Sequence, residues 1–339
     1  MARPLTVVAA TLVTFCASAT AIAVPMAAAD DTVPPTPTYT CPIPGETPPE
    51  AFPAPTGEPP EPIAPVNSPA RPGEGQWTQR MALRDVPVLW TTSFRPILFR
   101  RATVASIAVF DQTKLRAALY NGVFLPGGGP WKNYKKVSGA AVPALVAAFN
   151  GGFQFRHIRG GYMTEGKVRK ALANKQATLA IKPDGSMFIG VMGCDIQNDG
   201  SWMSLRQNLP PLVWRGASAL HLAPRNTYWG DNFGAKTSSR RSAVCTRTDG
   251  RMMYVYAGNV TVREFVRVLV RVKCQTAMHL DMNGTWAQFA YFHGGLGTME
   301  RRGRTIDSRQ WPWYRYLTRS LNDFVALFDP ELLPADAVA

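Results

Sequence analysis

Short apolar runs and alternating apolar and polar residues predict β-strands in several segments after residue 90. Residues 92–111 alternate in this way. Residues 177–191 contain two apolar runs joined by Pro183-Asp184-Gly185, and residues 240–258 contain two more joined by Asp249-Gly250. Because Asp-Gly sequences reverse the chain with little strain, each of these segments predicts a β-hairpin.

One segment has helical spacing instead. Apolar residues recur at intervals of three and four over residues 262–270, which places them on one face of an α-helix. The next apolar residues predict a buried strand that ends in a turn at Asp281. Two hairpins, a long helix and a final strand indicate an α+β fold, with a mixed, largely antiparallel sheet and packed helices. We expect one catalytic-type domain over residues 76–339.

The first 29 residues have the pattern of an export signal. Arg3 precedes an apolar stretch from Leu5 to Val24, and Ala27-Ala28-Ala29 follow as a small-residue cleavage site. We therefore expect a secreted or cell-envelope protein. An uncleaved N-terminal anchor stays open, because twenty apolar residues just span a bilayer, and membrane contact is expected only in that case.

Residues 30–75 have the composition of a linker. Fifteen of the 29 prolines fall between Pro34 and Pro72, and proline lacks the backbone donor that helices and strands use. The segment also carries seven acidic residues against Arg71, so we expect an acidic, extended spacer. With this segment and Arg3 set aside, residues 76–339 carry +19, against +14 for the whole chain. Such a basic domain favours an anionic substrate.

Export implies an oxidising compartment, in which an even number of cysteines favours disulfides. Cys41, Cys194, Cys245 and Cys274 remain after residue 29, and three pairings are possible. Cys245 and Cys274 flank one predicted strand-helix-strand unit, so we expect them to be bonded. The pairing of Cys41 and Cys194 stays open.

Polar residues stand at the ends of three apolar runs. They are Asn150 before Gly151-Gly152, the group Arg240-Arg241-Ser242, and Asp281. Strands commonly display functional side chains at their ends. Each group alone is more typical of a turn or a solvated strand end, but the three together define a candidate site.

The order of these motifs resembles the phosphodiester glycosidase family. The family pattern is an Asn-Gly-Gly-Phe turn, a hairpin with an Asp-Gly tip, Arg-Ser or Arg-Thr at a strand start, a helix, and Leu-Asp followed by glycines and Ser or Thr. The matching elements here are residues 150–153, 181–189, Arg241-Ser242, residues 262–272, and Leu280-Asp281 with Gly284-Thr285. The resemblance covers about residues 100–327. It departs at Met282 and Asn283, where the family has consecutive glycines.

The resemblance implies hydrolysis of a sugar-1-phosphodiester at the anomeric carbon, which releases the sugar and a phosphate monoester. Arg241, helped by Arg240, would hold the phosphate through charge-assisted hydrogen bonds. Asp281 would activate water, act as nucleophile or stabilise an oxocarbenium-like centre. Asn150 suits sugar hydroxyls or an acetamido group, because its amide both donates and accepts. The other expected substrate-binding residues are Gly151, Gly152, Ser242, Gly284 and Thr285.

A second catalytic carboxylate is not required, because a phosphate monoester leaves more readily than an alkoxide. If one is used, Glu165 in its glycine-bounded loop is the candidate, although such acids are more often solvated. His279 lies two residues before Asp281, but two ligands are too few for a metal site, and a core histidine is the better interpretation. We expect no cofactor, with a divalent metal left open. The aromatic residues over 311–316 suit either sugar stacking or packing.

Two classes of function follow. The first is an exported hydrolase that cleaves a glycosyl phosphodiester in a cell-wall or envelope glycan. The alternative is a catalytically weakened, non-enzymatic protein that binds cell-wall glycan, and Met282 and Asn283 favour it. We expect no nucleic-acid partner, because export and the absence of an aromatic-basic motif argue against one.

Overall fold

The computed structural model describes residues 54–222, Trp229 and residues 238–339. The predicted export signal, the first part of the predicted linker and Cys41 lie outside these residues. The strands are β1 (Thr78–Leu83), β2 (Val86–Phe94), β3 (Ala105–Phe110), β4 (Arg116–Tyr120), β5 (Leu145–Asn150), β6 (Tyr162–Thr164), β7 (Lys167–Lys170), β8 (Ala177–Ile181), β9 (Met187–Val191), β10 (Ser204–Gln207), β11 (Val213–Trp214), β12 (Ala217–Ser218), β13 (Ser239–Arg247), β14 (Met252–Val260), β15 (Cys274–His279), β16 (Phe289–Gly294), β17 (Arg302–Thr305) and β18 (Phe324–Phe328). The described ranges also contain two α-helices, α1 (Val262–Arg271) and α2 (Arg315–Thr318).

These strands form three sheets. The large sheet has the order β1-β2-β3-β14-β13-β15-β11-β12, and the small sheet has the order β7-β6-β10-β8-β9. The third, which we call the cleft sheet, has the order β17-β16-β5-β18-β4. Neighbouring strands within each sheet are antiparallel.

The predicted α+β class is wrong, because the described fold consists mainly of these three antiparallel sheets and α2 is only four residues long. The sequence offers the reason. Only residues 262–271 combine helical spacing with a length of ten residues, whereas the other apolar runs have the length of strands. Residues 115–122, whose short apolar pattern fits neither a helix nor a strand clearly, contain β4.

The predicted helix and hairpins are confirmed. Thr261 and Glu264 form a reciprocal capping box at the start of α1, in which each side chain accepts the other's backbone N–H. Residues 177–191 form the β8–β9 hairpin, and residues 240–258 lie within β13 and β14. None of the helices in the described residues is both long and apolar enough to span a membrane.

The main core lies where the three sheets face one another. It contains Phe110 and Tyr254 from the large sheet, Leu179 from the small sheet, and Phe149 and Phe289 from the cleft sheet. The opposite face of the large sheet is covered by the apolar face of α1. With both of its faces buried, the large sheet is a rigid base for the residues at its strand ends.

The Cys245–Cys274 disulfide is present, as predicted, and its Cα atoms lie 5.7 Å apart. It joins β13 to β15, which are neighbours in the large sheet. Ser242 lies in β13, and Asp281 lies two residues after the end of β15. The bond therefore cross-links the elements that carry two predicted site residues.

The second half of the predicted linker contacts the domain. Glu74 and Arg95 form a buried ion pair with an Oε2–Nη2 distance of 2.6 Å, and this pairing lowers the pKa of Glu74 to about 2. The backbone N–H of Ile63 donates to the carbonyl of Gly75, whose own N–H donates to the carbonyl of Ser93. Residues 63–75 thus line the edge of the large sheet, although they form neither helix nor strand.

Candidate active site

A small cleft opens where strands of the cleft sheet meet the turn after β15. The antiparallel register aligns Phe324 with Asn150, so the start of β18 lies beside the end of β5. The N–H of Gly151 donates to the carbonyl of Asp323, and the N–H of Asp281 donates to the carbonyl of Gly151. The cleft is lined by Asn150, Gly151, Gly152, Asp281, Trp286, Arg315, Tyr316, Ser320, Asn322 and Asp323.

The side chain of Asn150 is saturated by hydrogen bonds within the protein. Its Nδ2 donates to the Gly151 carbonyl and to Ser242 Oγ, at 3.0 and 3.3 Å. Its Oδ1 accepts from the Tyr254 hydroxyl and the Gln288 N–H, at 2.8 and 3.0 Å. An amide has two donors and two acceptor positions. Asn150 therefore positions the cleft, and the predicted contact from its amide to a sugar is corrected.

Ser242 links two of the predicted groups. Its hydroxyl accepts from Asn150 and donates to the carbonyl of Asp281 at 2.8 Å. The Ser242 carbonyl accepts the N–H of Leu280. The ends of β5, β13 and β15 are thus joined by one hydrogen-bonded chain, as the combination of the three motifs predicted. Ser242 is fully buried, so its part in this site is to hold Asp281.

The two glycines of the Asn-Gly-Gly turn admit a buried ion pair. Nε and Nη2 of Arg206 donate to the two carboxylate oxygens of Asp323, at 2.8 and 3.2 Å. A Cβ on Gly151 would collide with this carboxylate, and a Cβ on Gly152 would lie 3.0 Å from the Arg206 guanidinium carbon. The turn needs glycine here because charged side chains pack directly against its backbone.

Asp281 is the carboxylate with an accessible function. The residue is only 6% exposed to solvent. Burial raises its pKa to about 7; the backbone N–H of Asn283 opposes this shift, and the nearby charge of Asp323 adds to it. Oδ1 accepts that N–H at 2.9 Å, and Oδ2 has no hydrogen-bond partner among the described residues. A carboxyl that titrates near neutral pH and keeps one free oxygen suits proton transfer.

Arg315 brings positive charge into the cleft. Its guanidinium carbon lies 4.5 Å from the ring centroid of Trp286 and 5.1 Å from that of Trp311. Nη1 donates to the Thr285 carbonyl at 2.6 Å, and neither Nε nor Nη2 has a hydrogen-bond partner among the described residues. Of the aromatic residues over 311–316, Trp311 thus stacks on this arginine. A guanidinium fixed in this way presents a planar fork to an anion.

Arg241 does not line this cleft. It is fully buried, and its guanidinium donates to the carbonyls of Val260 and Trp229, at 3.2 and 3.1 Å. The predicted helper, Arg240, is exposed and donates to the carbonyl of Gly284 at 3.2 Å. Of Arg240, Arg241 and Arg315, it is Arg315 that lines the cleft with Asp281.

Glu165 lies elsewhere in the fold. Its two carboxylate oxygens accept the backbone N–H groups of Asn133 and Lys132, at 2.9 and 3.1 Å. This structural role replaces the predicted catalytic one. The second carboxylate of the cleft is Asp323, and its oxygens are held by Arg206.

The turn after Asp281 has local roles. The N–H of Thr285 donates to Oδ1 of Asn283, and the carbonyl of Thr285 accepts from Arg315. Met282 is buried in a cluster with Phe153, Ile158 and Leu209. Neither Met282 nor Asn283 is among the residues that line the cleft, so the departure from the glycines of the family pattern does not fill it.

His279 is a core residue, as we expected. It is fully buried, and its ring lies 5.2 Å from that of Phe153 and 6.1 Å from that of Phe265. Burial and the charge of Arg241 lower its pKa well below the usual range. Within the ranges that the structure describes, no group of three or more His, Cys, Asp or Glu side chains is arranged to hold a metal ion.

The sequence prediction missed Asp323, Arg315 and Asn322. Asn322-Asp323 stand directly before the apolar run of β18. In an antiparallel sheet the start of one strand lies beside the end of its neighbour. A search that included polar residues at strand starts would have found this pair. Arg315 carried no such signal, because it begins the four-residue helix α2 and its position depends on how that short helix packs.

Comparison with family models finds a match. Residues 144–290 match the family model described as phosphodiester glycosidase, so this segment is similar to that family. The resemblance found in the sequence is thereby confirmed, and the match supports a glycosidase-type hydrolase. The matched segment includes Asn150 and Asp281, whereas Arg315, Asn322 and Asp323 lie after it. The sequence has no match among curated proteins.

Solved structures with a similar fold include three of low identity. The catalytic domain of zebrafish N-acetylglucosamine-1-phosphodiester alpha-N-acetylglucosaminidase, auto-inhibited by its pro-peptide, is 15% identical, with a TM-score of 0.46, 74% of this chain and 87% of that chain covered. A hypothetical protein from Synechocystis is 10% identical, with a TM-score of 0.43 and coverage of 67% and 59%. A putative exported protein from Burkholderia pseudomallei K96243 is 11% identical, with a TM-score of 0.37 and coverage of 66% and 74%.

Proposed function

We propose that this protein is an exported hydrolase that cleaves a glycosyl phosphodiester at the anomeric carbon, in a cell-wall or envelope glycan. The observation that carries the proposal is that Asp281, which lies in the segment matched to the phosphodiester glycosidase model, and Arg315, which lies after that segment, line one cleft. Asp281 offers a titrating carboxyl with a free oxygen, and Arg315 offers a fixed cation. These are the groups that a reaction with a phosphate leaving group requires.

The proposed reaction starts with the phosphodiester anion against Arg315, whose fork binds two phosphate oxygens. Asp281 in its carboxylate form accepts a proton from water while the water oxygen bonds to the anomeric carbon. The bond between that carbon and the bridging oxygen breaks, and its electron pair leaves with the phosphate monoester. Arg315 stabilises the charge that develops there. The proton on Asp281 then returns to solvent.

Asp323 has an indirect part in this scheme. Its ion pair with Arg206 keeps both of its oxygens engaged, so it is not the attacking group. Its negative charge raises the pKa of Asp281, and its carboxylate packs against Gly151. We therefore assign Asp323 as a positioning residue.

The non-enzymatic alternative rested on Met282 and Asn283. Both side chains point into contacts outside the cleft: Met282 packs in its apolar cluster, and Asn283 caps the turn. Neither residue is among those that line the cleft. The arrangement of the site therefore favours turnover over binding alone.

The test is incubation of the purified protein with phenyl phosphodiesters of glucose and of 2-acetamido-2-deoxyglucose, each linked at C1. Phosphorus NMR should show conversion of the phosphodiester into phenyl phosphate by the wild type. Asp281→Asn should lower kcat by about a hundredfold or more. Saturable binding without conversion would support the glycan-binding alternative. The absence of both binding and conversion would refute the proposal.

A further inference from the structure

Asn322 presents an unpaired amide to the Asp281 cleft. The residue is only 7% exposed, and its Nδ2 is buried without a hydrogen-bond partner among the described residues. A buried donor left unpaired destabilises a protein. Most buried polar side-chain atoms in native proteins have a hydrogen-bond partner, so an unpaired one that lines a cleft is available to a ligand.

The position of Asn322 is fixed by its neighbours. The N–H of Ser320 donates to the carbonyl of Lys135, and the hydroxyl of Ser320 donates to the carbonyl of Asn322 at 2.7 Å. The carbonyl of Leu321 accepts the N–H of Phe124. Asp323, the next residue, is held by Arg206. The amide is therefore displayed by an ordered segment.

Comparison with Asn150 sharpens the argument. Both asparagines line the cleft, but every hydrogen-bonding position of Asn150 is used within the protein. The amide of Asn322 has no hydrogen-bond partner in the described residues. The donor and acceptor chemistry that the sequence suggested for Asn150 is thus available at Asn322.

We propose that Asn322 binds the sugar substituent on the ring carbon next to the anomeric carbon, as a hydroxyl or an acylamino group. This inference rests on the proposed function. If Asp281 acts at the anomeric carbon and Arg315 holds the phosphate, the nearest remaining exocyclic polar group of the substrate is the C2 substituent. Hydrogen bonds to that substituent strengthen in the transition state of glycoside hydrolysis. Asn322 is then a specificity residue whose amide is unpaired in the free protein and hydrogen-bonded in the complex.

The experiment assays each form of residue 322 on probes that differ in the C2 substituent. Wild type, Asn322→Ala and Asn322→Ser are assayed on C1 phenyl phosphodiesters of glucose, 2-acetamido-2-deoxyglucose and 2-deoxyglucose. Each kcat/KM is divided by the uncatalysed rate, since 2-deoxy sugars are intrinsically more labile. We expect the wild type to favour at least one substituted probe over the 2-deoxy probe by about 10- to 100-fold. Asn322→Ala should lower kcat/KM for the substituted probe by about 10- to 100-fold more than for the 2-deoxy probe, so that the preference is lost.

Thermal unfolding supplies a readout that a structural role would not give. Removal of an unpaired buried amide should leave the Tm of the free protein unchanged or raised, whereas Asn150→Ala should lower it. Equal loss of turnover on all three probes, or a preference that survives in both Asn322 variants, would overturn the inference while the proposed function stands. Failure of the wild type to cleave any probe would overturn both.

Discussion

Replacement of Asp281 by asparagine should stabilise the protein at neutral and alkaline pH, although it removes the proposed catalytic group. Asparagine has nearly the same shape, and its Oδ1 still accepts the Asn283 N–H that Asp281 accepts at 2.9 Å. The substitution removes the negative charge of the buried Asp281 carboxylate. The effect on stability therefore isolates the electrostatics of the cleft.

The magnitude follows from the pKa. Burial raises the pKa of Asp281 from 3.8 to about 7, and each unit corresponds to about 1.4 kcal/mol. Well below pH 3.8 the carboxyl is protonated in both the folded and unfolded states and adds no penalty, and at pH 4 the penalty is only about 0.6 kcal/mol. As pH rises from about 4 to 7, the unfolded state ionises first and the wild type loses up to ~4 kcal/mol of stability relative to the variant. Above pH 7 the difference is constant.

The assay is urea unfolding of both proteins between pH 4 and pH 9, with the disulfide intact. We expect nearly equal unfolding free energies at pH 4 and a more stable Asp281→Asn variant at pH 8. The matched control is Asp199→Asn, since Asp199 is solvent-exposed and its bond to Ser201 lowers its pKa; its difference should have the opposite sign. A gap between wild type and Asp281→Asn that does not change with pH would refute the reasoning.

Three further predictions follow from other contacts. Arg315→Lys should raise KM and lower kcat for a glycosyl phosphodiester by about tenfold or more, because lysine lacks the guanidinium fork and its stacking on the two tryptophans. The control Arg241→Lys should instead lower Tm. An unchanged KM for Arg315→Lys would refute the assignment of Arg315 as the phosphate-binding residue. Asp323→Asn should cost about 3–5 kcal/mol of unfolding free energy, because it leaves a buried arginine unpaired; urea unfolding with no loss would contradict this. A chain that starts at residue 76 should melt below one that starts at residue 54, because it lacks the buried Glu74 ion pair; equal Tm values would show residues 54–75 to be dispensable.

The sequence predicted the parts of the site that local pattern controls. Asn150, Ser242 and Asp281 each stand where an apolar run ends, and hydrogen bonds between Asn150 and Ser242 and between Ser242 and Asp281 bring the three together. The cross-link between Cys245 and Cys274 followed from the element order. Strand ends and element order are local or nearly local properties, which explains this success.

The errors came from tertiary packing. Arg241 matched a family motif, but whether a strand-start arginine faces a cleft or the interior depends on what covers it. Arg315 begins α2, which is too short to show a regular pattern, and the two tryptophans that fix it are 25 residues apart in the sequence. Residues 63–75 have a linker composition yet pack, because the single charge of Glu74 meets Arg95. Composition does not reveal such pairings.

The most direct test of the central claim is hydrolysis in water enriched in oxygen-18. If Asp281 directs water to the anomeric carbon, the label will appear in the anomeric hydroxyl of the released sugar, and the phosphate monoester will contain none. Mass spectrometry of both products measures this in one experiment, with products of short reaction times used to limit exchange of the anomeric oxygen. Label in the phosphate monoester would mean attack at phosphorus and would contradict the account.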